Sequence, residues 1–413
     1  MSLQDTPRGE RVHIALFGRR NAGKSSLINA LTGQQISIVS DVAGTTTDPV
    51  FKAMELLPIG PVVMIDTPGI DDEGELGALR IERARAVLEK TDAAIIATDS
   101  QNEIGDFERD ILAQIRERKI PAILVLNKSD LAAQSADLHA RALSLQKELK
   151  VPVVVASGVT GEGIENLKQA LIHNLPEEED KFHLVGDLLS PSDIVILVVP
   201  IDKAAPKGRL ILPQQQTIRD ILESDAMAIV TKEYELRDTL ASLSRKPRLV
   251  ITDSQVFAKV SADTPKDIPL TSFSILFARY KGDLPALVRG AMTIDTLADG
   301  DKILIAEGCT HHRQCDDIGT VKLPRWIRQH TAKNIEFVFT SGGTYPADLT
   351  PFRMIVHCGS CMLNRREMQY RIQQAQKAGI PIVNYGVLIA HMQGILPRVL
   401  EPFPLAAMEL DAK

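Results

Sequence analysis

Cysteine is scarce in this chain: four occur in 413 residues, none before position 309. A disulfide framework running through the fold is thereby excluded, and soft-ligand chemistry is confined to the last third. Aromatic residues make up only 4%, with a single tryptophan, which leaves few platforms for stacking unpaired bases. Positive charge is not in excess either. The net charge of −6 argues against a broad nucleic-acid-binding surface. No apolar run approaches the ~18 residues of a membrane span. The opening MSLQDTPRGERVHIALFG lacks a basic stretch followed by an apolar core and a small-residue cleavage site. These absences predict a cytoplasmic protein with no membrane or nucleic-acid partner. What is present, 44% apolar and 24% charged residues, is the composition of a globular α/β protein. At roughly 100–200 residues per domain the length predicts two to four domains.

The first domain is expected over residues 1–175. VHIALF (12–17) reads as a buried strand, and SLINALTG has helical periodicity. Between them stands GRRNAGKS (18–25), the G-x-x-x-x-G-K-S pattern in the strand-to-helix context that gives it meaning. Gly18 and Gly23 let backbone N–H groups curl around phosphate oxygens, and the new helix aims its positive end at the same anion. Asn21, Ala22 and Ser26 complete this wrap. Lys24 is expected on the β- and γ-phosphates, and Ser25 on Mg²⁺. GTTTD (44–48) offers Thr46 to Mg²⁺ and the γ-phosphate. The strand PVVMI (61–65) ends in Asp66-Thr67-Pro68-Gly69, with Asp66 toward Mg²⁺ and the Gly69 N–H toward the γ-phosphate. The strand AILVL (122–126) ends in Asn127-Lys128-Ser129-Asp130. The Asp130 carboxylate can accept two hydrogen bonds from guanine, a donor pair that adenine lacks. Residues 152–155 lead to Ala156-Ser157-Gly158, where Ser157 is expected beside guanine O6.

Five such signals in order, each at a strand end, identify a P-loop GTPase domain that binds GTP or GDP. It resembles the translation-factor-related GTPases, closest to the tRNA-modification and Era-like branch. Ile70 stands where Ras-like enzymes place the glutamine that orients water, so another group must stabilise the transition state. In the GTPases that this loop resembles, an asparagine at the position of Asn21 helps bind K⁺ beside the phosphates. The resemblance thus implies slow, K⁺-stimulated hydrolysis carried by Lys24, Asn21, Thr46 and Gly69.

A second α/β domain is expected over 185–264. DIVILVVP (193–200), AMAIV (226–230) and RLVIT (248–252) read as parallel strands alternating with helices. A small sheet with exposed edges invites pairing with a second copy, which predicts a homodimer. A third α/β domain is expected over 265–400. SFSILFARY fits strand or helix. DKILIAEG (301–308), NIEFVFTSGG (334–343), FRMIVHC (352–358) and IPIVNYG (380–386) read as strands.

Cys309, Cys358 and Cys361 all follow strand ends, where ligands bind in open parallel sheets. The residues leave three readings: an iron–sulfur group held by three thiolates, a structural zinc site, or buried inert thiols. Ser341-Gly342-Gly343 and Arg353 are candidates to line the pocket. The set C-x-H (309–311) and H-C-x-x-C (357–361), behind a GTPase domain and a middle α/β domain, resembles the [FeFe]-hydrogenase maturation GTPases over nearly the whole chain. The resemblance implies a dimeric scaffold with a C-terminal cluster-binding domain. It implies a [4Fe-4S] cluster on Cys309, Cys358 and Cys361, with His311 and His357 as candidates for a labile fourth position and Cys315 outside the motif. It further implies a transient dinuclear iron precursor, received from radical-SAM hydrogenase maturases and passed to apo-[FeFe]-hydrogenase. The competing reading is an RNA-modification or ribosome-assembly GTPase with structural zinc, favoured by the basic stretch KLPRWIRQH (322–330).

Overall fold

The computed structural model describes residues 6–33, 49–69, 83–132, 135–175, 183–201, 210–308 and 317–411. Thr46, Ile70, Cys309, His311 and Cys315 lie outside them. The chain forms two compact units, Met1–Asp180 and Lys181–Lys413.

In the first unit a six-stranded sheet has the order β2-β3-β1-β4-β5-β6. Its strands are β1 (Val12–Phe17), β2 (Val50–Leu56), β3 (Gly60–Asp66), β4 (Ala93–Asp99), β5 (Ala122–Asn127) and β6 (Val153–Val155). Only β2 runs antiparallel, hairpinned onto β3. Strand β1 shows why these residues form a central strand. Alternate side chains of a strand face opposite ways. Ala15 and Phe17 enter the core on one face, while Ile14 and Leu16 enter the core on the other. A strand buried on both faces must be apolar throughout, as VHIALF nearly is. The helix Lys24–Thr32 follows directly and buries Leu27, Ile28 and Leu31. Its N-terminus therefore stands at the carboxyl end of β1.

The second unit carries two four-stranded parallel sheets. One has the order β10-β9-β7-β8, built from β7 (Ile194–Val198), β8 (Met227–Thr231), β9 (Leu249–Thr252) and β10 (Leu270–Ser272). The other has the order β12-β11-β13-β14, built from β11 (Lys302–Glu307), β12 (Glu336–Ser341), β13 (Met354–His357) and β14 (Ile382–Asn384). One hydrophobic core runs through both, from Val195 and Val250 to Ile305 and Val356. The middle sheet has a fourth strand that the sequence pattern does not reveal, because Leu270–Ser272 is too short to show a period. It lies beyond residue 264, where the middle domain was expected to end. SFSILFARY resolves as the helix Phe273–Lys281, capped by Ser272, whose side chain accepts from the Ile275 N–H.

Candidate functional site

The phosphate loop is held open by its own backbone. Gly18 stands so close to β4 that a Cβ would lie 2.3 Å from the Ala97 carbonyl oxygen. Gly23 has φ of +80°, and a Cβ there would meet the Asn127 side chain at 2.2 Å. Neither position tolerates a side chain. Asn21 also adopts a left-handed conformation, φ +59°, which asparagine accepts more readily than most residues. Lys24 Nζ donates to the carbonyls of Gly18 and Arg19, both at 2.9 Å. Its charge thus sits over the mouth of the loop.

Ser25 Oγ donates to Asp66 Oδ2 at 2.7 Å. A hydroxyl and a carboxylate converging from a helix start and a strand end are the oxygen ligands that Mg²⁺ selects. Burial pushes the Asp66 carboxyl above its usual range, against the Ser25 hydrogen bond and the Lys24 charge. A divalent ion would reverse that shift. Gly69 packs on the loop itself: a Cβ would lie 2.7 Å from Arg20 Cα.

Asn127 is 1% exposed and joins three segments. Its Nδ2 donates to the Ala22 carbonyl at 2.8 Å, and its Oδ1 accepts from the Gly158 N–H at 3.0 Å. Ser157 Oγ donates to Asp130 Oδ1 at 2.5 Å, fixing that carboxylate. Lys128 Nζ meets Asp99 at 2.8 Å. The phosphate loop, the Asp66 strand end and the 127–130 and 157–158 loops therefore meet at one edge of the sheet. Sequence reasoning missed Glu108, buried at the start of the helix Asp106–Glu117, which pairs with Arg19 of the phosphate loop at 3.1 Å.

The second candidate site lies at the carboxyl ends of β11 and β13. These strands pair in parallel with Ala306 opposite His357, so Gly308 and Cys358 emerge side by side. Cys358 Sγ accepts the Gly308 N–H at 3.1 Å and the Ser360 N–H at 3.4 Å. Ser360 reaches it through a left-handed turn, φ +57°. Such a conformation persists only where the surroundings fix it. Here the Ser360 hydroxyl lies within hydrogen-bonding distance of His357 Nδ1, the Cys358 carbonyl and Met368 Sδ. Burial raises the Cys361 thiol pKa, and the charge of Lys281 opposes that rise. Lys281, 1% exposed, donates to the carbonyls of Cys361 at 3.3 Å and Leu363 at 2.8 Å.

His357 is fully buried. Its Nδ1–H donates to the Cys358 carbonyl at 3.0 Å, and its Nε2 accepts from Arg371 Nη1 at 3.0 Å. Burial, helped by the Arg371 charge, lowers its pKa to about 3. Both ring nitrogens are engaged, so in this arrangement the imidazole braces the loop and presents no lone pair to a metal. To serve as a fourth ligand, His357 would have to give up the Arg371 contact at Nε2. Arg353 precedes β13 and donates its N–H to the Lys302 carbonyl at the amino end of the sheet, the end opposite Cys358. It does not line this pocket. Gly342 does adjoin it, accepting from Arg371 Nη2 at 3.0 Å.

The buried cations were legible in principle. Phe273, Phe277 and Lys281 recur at four-residue spacing on one buried helix face. Arg371 sits among Met368, Ile372 and Ala375 on the buried face of the helix Arg365–Lys377. A cation on an apolar stripe signals a buried partner.

Comparison with known proteins follows this architecture. Residues 13–128 match the 50S ribosome-binding GTPase family. Residues 184–282 match the hydrogen maturase F dimerization domain, and residues 285–402 the hydrogen maturase F tetramerization domain. The chain belongs to the hydrogen maturase F family. Its GTPase domain is shared more widely. The tRNA modification GTPase MnmE of Nitrosomonas europaea is 35% identical over 164 residues, 40% of this chain and 34% of that protein. GTPase Era of Rippkaea orientalis is 32% identical over 231 residues, 55% of this chain and 69% of Era. GTPase Der of Mycoplasmopsis pulmonis is 32% identical over 203 residues, 46% of each chain. The chain thus spans about a third of MnmE and under half of Der. The maturase F domains carry both Cys358 and the loop that Lys281 and Arg371 brace.

Proposed function

We propose that this protein is a GTP-hydrolysing scaffold of [FeFe]-hydrogenase maturation. It holds a [4Fe-4S] cluster, accepts a dinuclear iron unit as cargo and delivers it to the apo-hydrogenase. One observation carries the reading: on a chain with maturase F domains, the Cys358 sulfur receives two backbone N–H groups at the carboxyl end of a parallel strand. Hydrogen bonds of this kind stabilise a thiolate and tune an iron–sulfur centre. The residues therefore fit such a group. Cys358 and Cys361 would hold it with Cys309, the residue that follows Gly308 in the chain. Three thiolates leave one iron exchangeable, the property a docking point for a second metal unit needs. His311 stands as the motif histidine for that position, while His357 and Arg371 orient the loop from beneath.

In the GTPase domain, Gly18, Asn21, Ala22, Gly23, Lys24, Ser25 and Ser26 cradle the phosphates. Ser25 and Asp66, with Thr46, hold Mg²⁺, and Asn127, Lys128, Asp130 and Ser157 hold guanine. Gly69 reports the γ-phosphate to Arg20 through backbone contact. Hydrolysis is slow, with K⁺ at Asn21 in place of an arginine finger, and equal rates in Na⁺ and K⁺ buffers count against that role.

The partners are a second copy, the radical-SAM maturases and the apo-hydrogenase. Edge strand β8 exposes Met227 and Val230, as a strand awaiting a β partner does. No described helix is long and apolar enough to cross a membrane.

The test is transfer. Protein prepared alongside the maturases is mixed anaerobically with apo-hydrogenase, and hydrogen evolution is followed. The wild type activates it, and Cys358→Ala does not. Equal activation by both proteins removes the scaffold reading.

A further inference from the structure

We propose that Asp295, His330 and His391 form a second metal site, for a single divalent transition ion of zinc-like character, separate from the cysteine loop. Three elements meet there. Asp295 lies in the short turn Thr293–Thr296. His330 lies in the last turn of the helix Leu323–Thr331, and His391 in the last turn of the helix Tyr385–Met392. His330 Nε2 lies 2.8 Å from one Asp295 oxygen, and His391 Nε2 lies 2.8 Å from the other. All three ligand atoms fall within 4.8 Å of one another. The rings do not stack. Their centroids are 6.3 Å apart and tilted by 59°, so each aims its Nε2 at the shared carboxylate.

Two imidazoles and one carboxylate form a facial ligand set that suits zinc and its neighbours and leaves positions for water or an external ligand. With metal–ligand bonds of about 2.0–2.2 Å, tetrahedral ligand atoms stand roughly 3.3–3.5 Å apart. The two histidine–carboxylate separations of 2.8 Å would open by about half an ångström. Both histidines sit at helix carboxyl ends, where the backbone carbonyls favour a cation. The side chains are 53%, 29% and 20% exposed for Asp295, His330 and His391, so an ion can enter. Binding through Nε2 leaves the proton of each neutral imidazole on Nδ1. The alternative is a carboxylate shared by two surface histidines with no affinity for metal.

The full chain distinguishes the two readings. Wild type, His330→Gln, His391→Gln and Asp295→Asn are dialysed against Co²⁺ under anaerobic conditions, and bound cobalt is counted per chain. The site predicts one more equivalent in the wild type than in any variant. That equivalent carries ligand-field absorption without thiolate-to-cobalt charge transfer, and Zn²⁺ displaces it. Zn²⁺ also raises the wild-type unfolding midpoint by more than that of Asp295→Asn. Equal stoichiometry in all four proteins overturns the proposal, as does a lost equivalent whose spectrum is that of thiolate ligation. The readout is independent of the scaffold reading, since the cysteines are intact in every variant.

Discussion

Arg371→Met tests whether the cysteine loop is braced from beneath. The guanidinium is 2% exposed and makes three polar contacts: His357 Nε2 at 3.0 Å, the Gly342 carbonyl at 3.0 Å and Glu367 Oε1 at 2.9 Å. It also lies 5.1 Å from the centroid of the Tyr345 ring. Methionine keeps most of the volume but none of the donors. The Glu367 carboxylate, only 12% exposed, loses its cation, and two buried acceptors lose their donors. Removing one partner of a buried ion pair costs about 3–5 kcal/mol. The flexible methionine recovers part of the packing, so a loss of ~3 kcal/mol is expected. The assay is urea unfolding followed through Trp326, the only tryptophan, which packs against the core of the second unit. The transition therefore reports that unit. Arg371→Lys should fall between wild type and methionine, because an ammonium can pair with Glu367 without spanning all three acceptors. A loss below ~1 kcal/mol for Arg371→Met refutes the reasoning and leaves His357 without a structural reason for its engagement.

Gly69→Ala places a methyl group 2.7 Å from Arg20 Cα, where only backbone can yield. GTP hydrolysis should fall at least about tenfold, ~1.4 kcal/mol in barrier, while GDP affinity measured with a fluorescent analogue changes little. Asn127→Ala removes two buried hydrogen bonds that join the phosphate loop to the 127–130 and 157–158 loops. At about 1.4 kcal/mol each, nucleotide affinity should drop about a hundredfold by calorimetry. His357 has a folded-state pKa of about 3 against an ordinary 6.5, so folding favours its neutral form. Its stabilising contribution is complete above pH 6.5 and declines by about 1.4 kcal/mol per pH unit from there toward pH 3. Lowering the pH from 7.5 to 5.5 should therefore cost the wild type about 1.4 kcal/mol more than His357→Gln, whose amide replaces both hydrogen bonds without titrating.

The GTPase domain was legible because its motifs are local: each residue set lies at one strand end, and the strands are continuous apolar runs. What escaped was tertiary. Nothing in the sequence near Asn127 announces that its amide bridges Ala22 and Gly158. β10 escaped because three residues carry no period, and the pairing that makes Leu270–Ser272 a strand comes from β9. At the cysteine loop, the pattern H-C-x-x-C drew attention to His357 as a ligand. No spacing rule announced that it would be buried and paired with Arg371, fourteen residues on. Asp295, His330 and His391 are spread over almost a hundred positions with no motif spacing. Only the packing of three helical segments brings them together.

The most direct test of the central claim is iron content after anaerobic reconstitution, with each cysteine replaced in turn. The wild-type chain should hold about four iron atoms, as one cubane requires. That iron should be lost in Cys309→Ala, Cys358→Ala and Cys361→Ala and retained in Cys315→Ala. Undiminished iron in Cys309→Ala, or iron lost in Cys315→Ala alone, contradicts that claim.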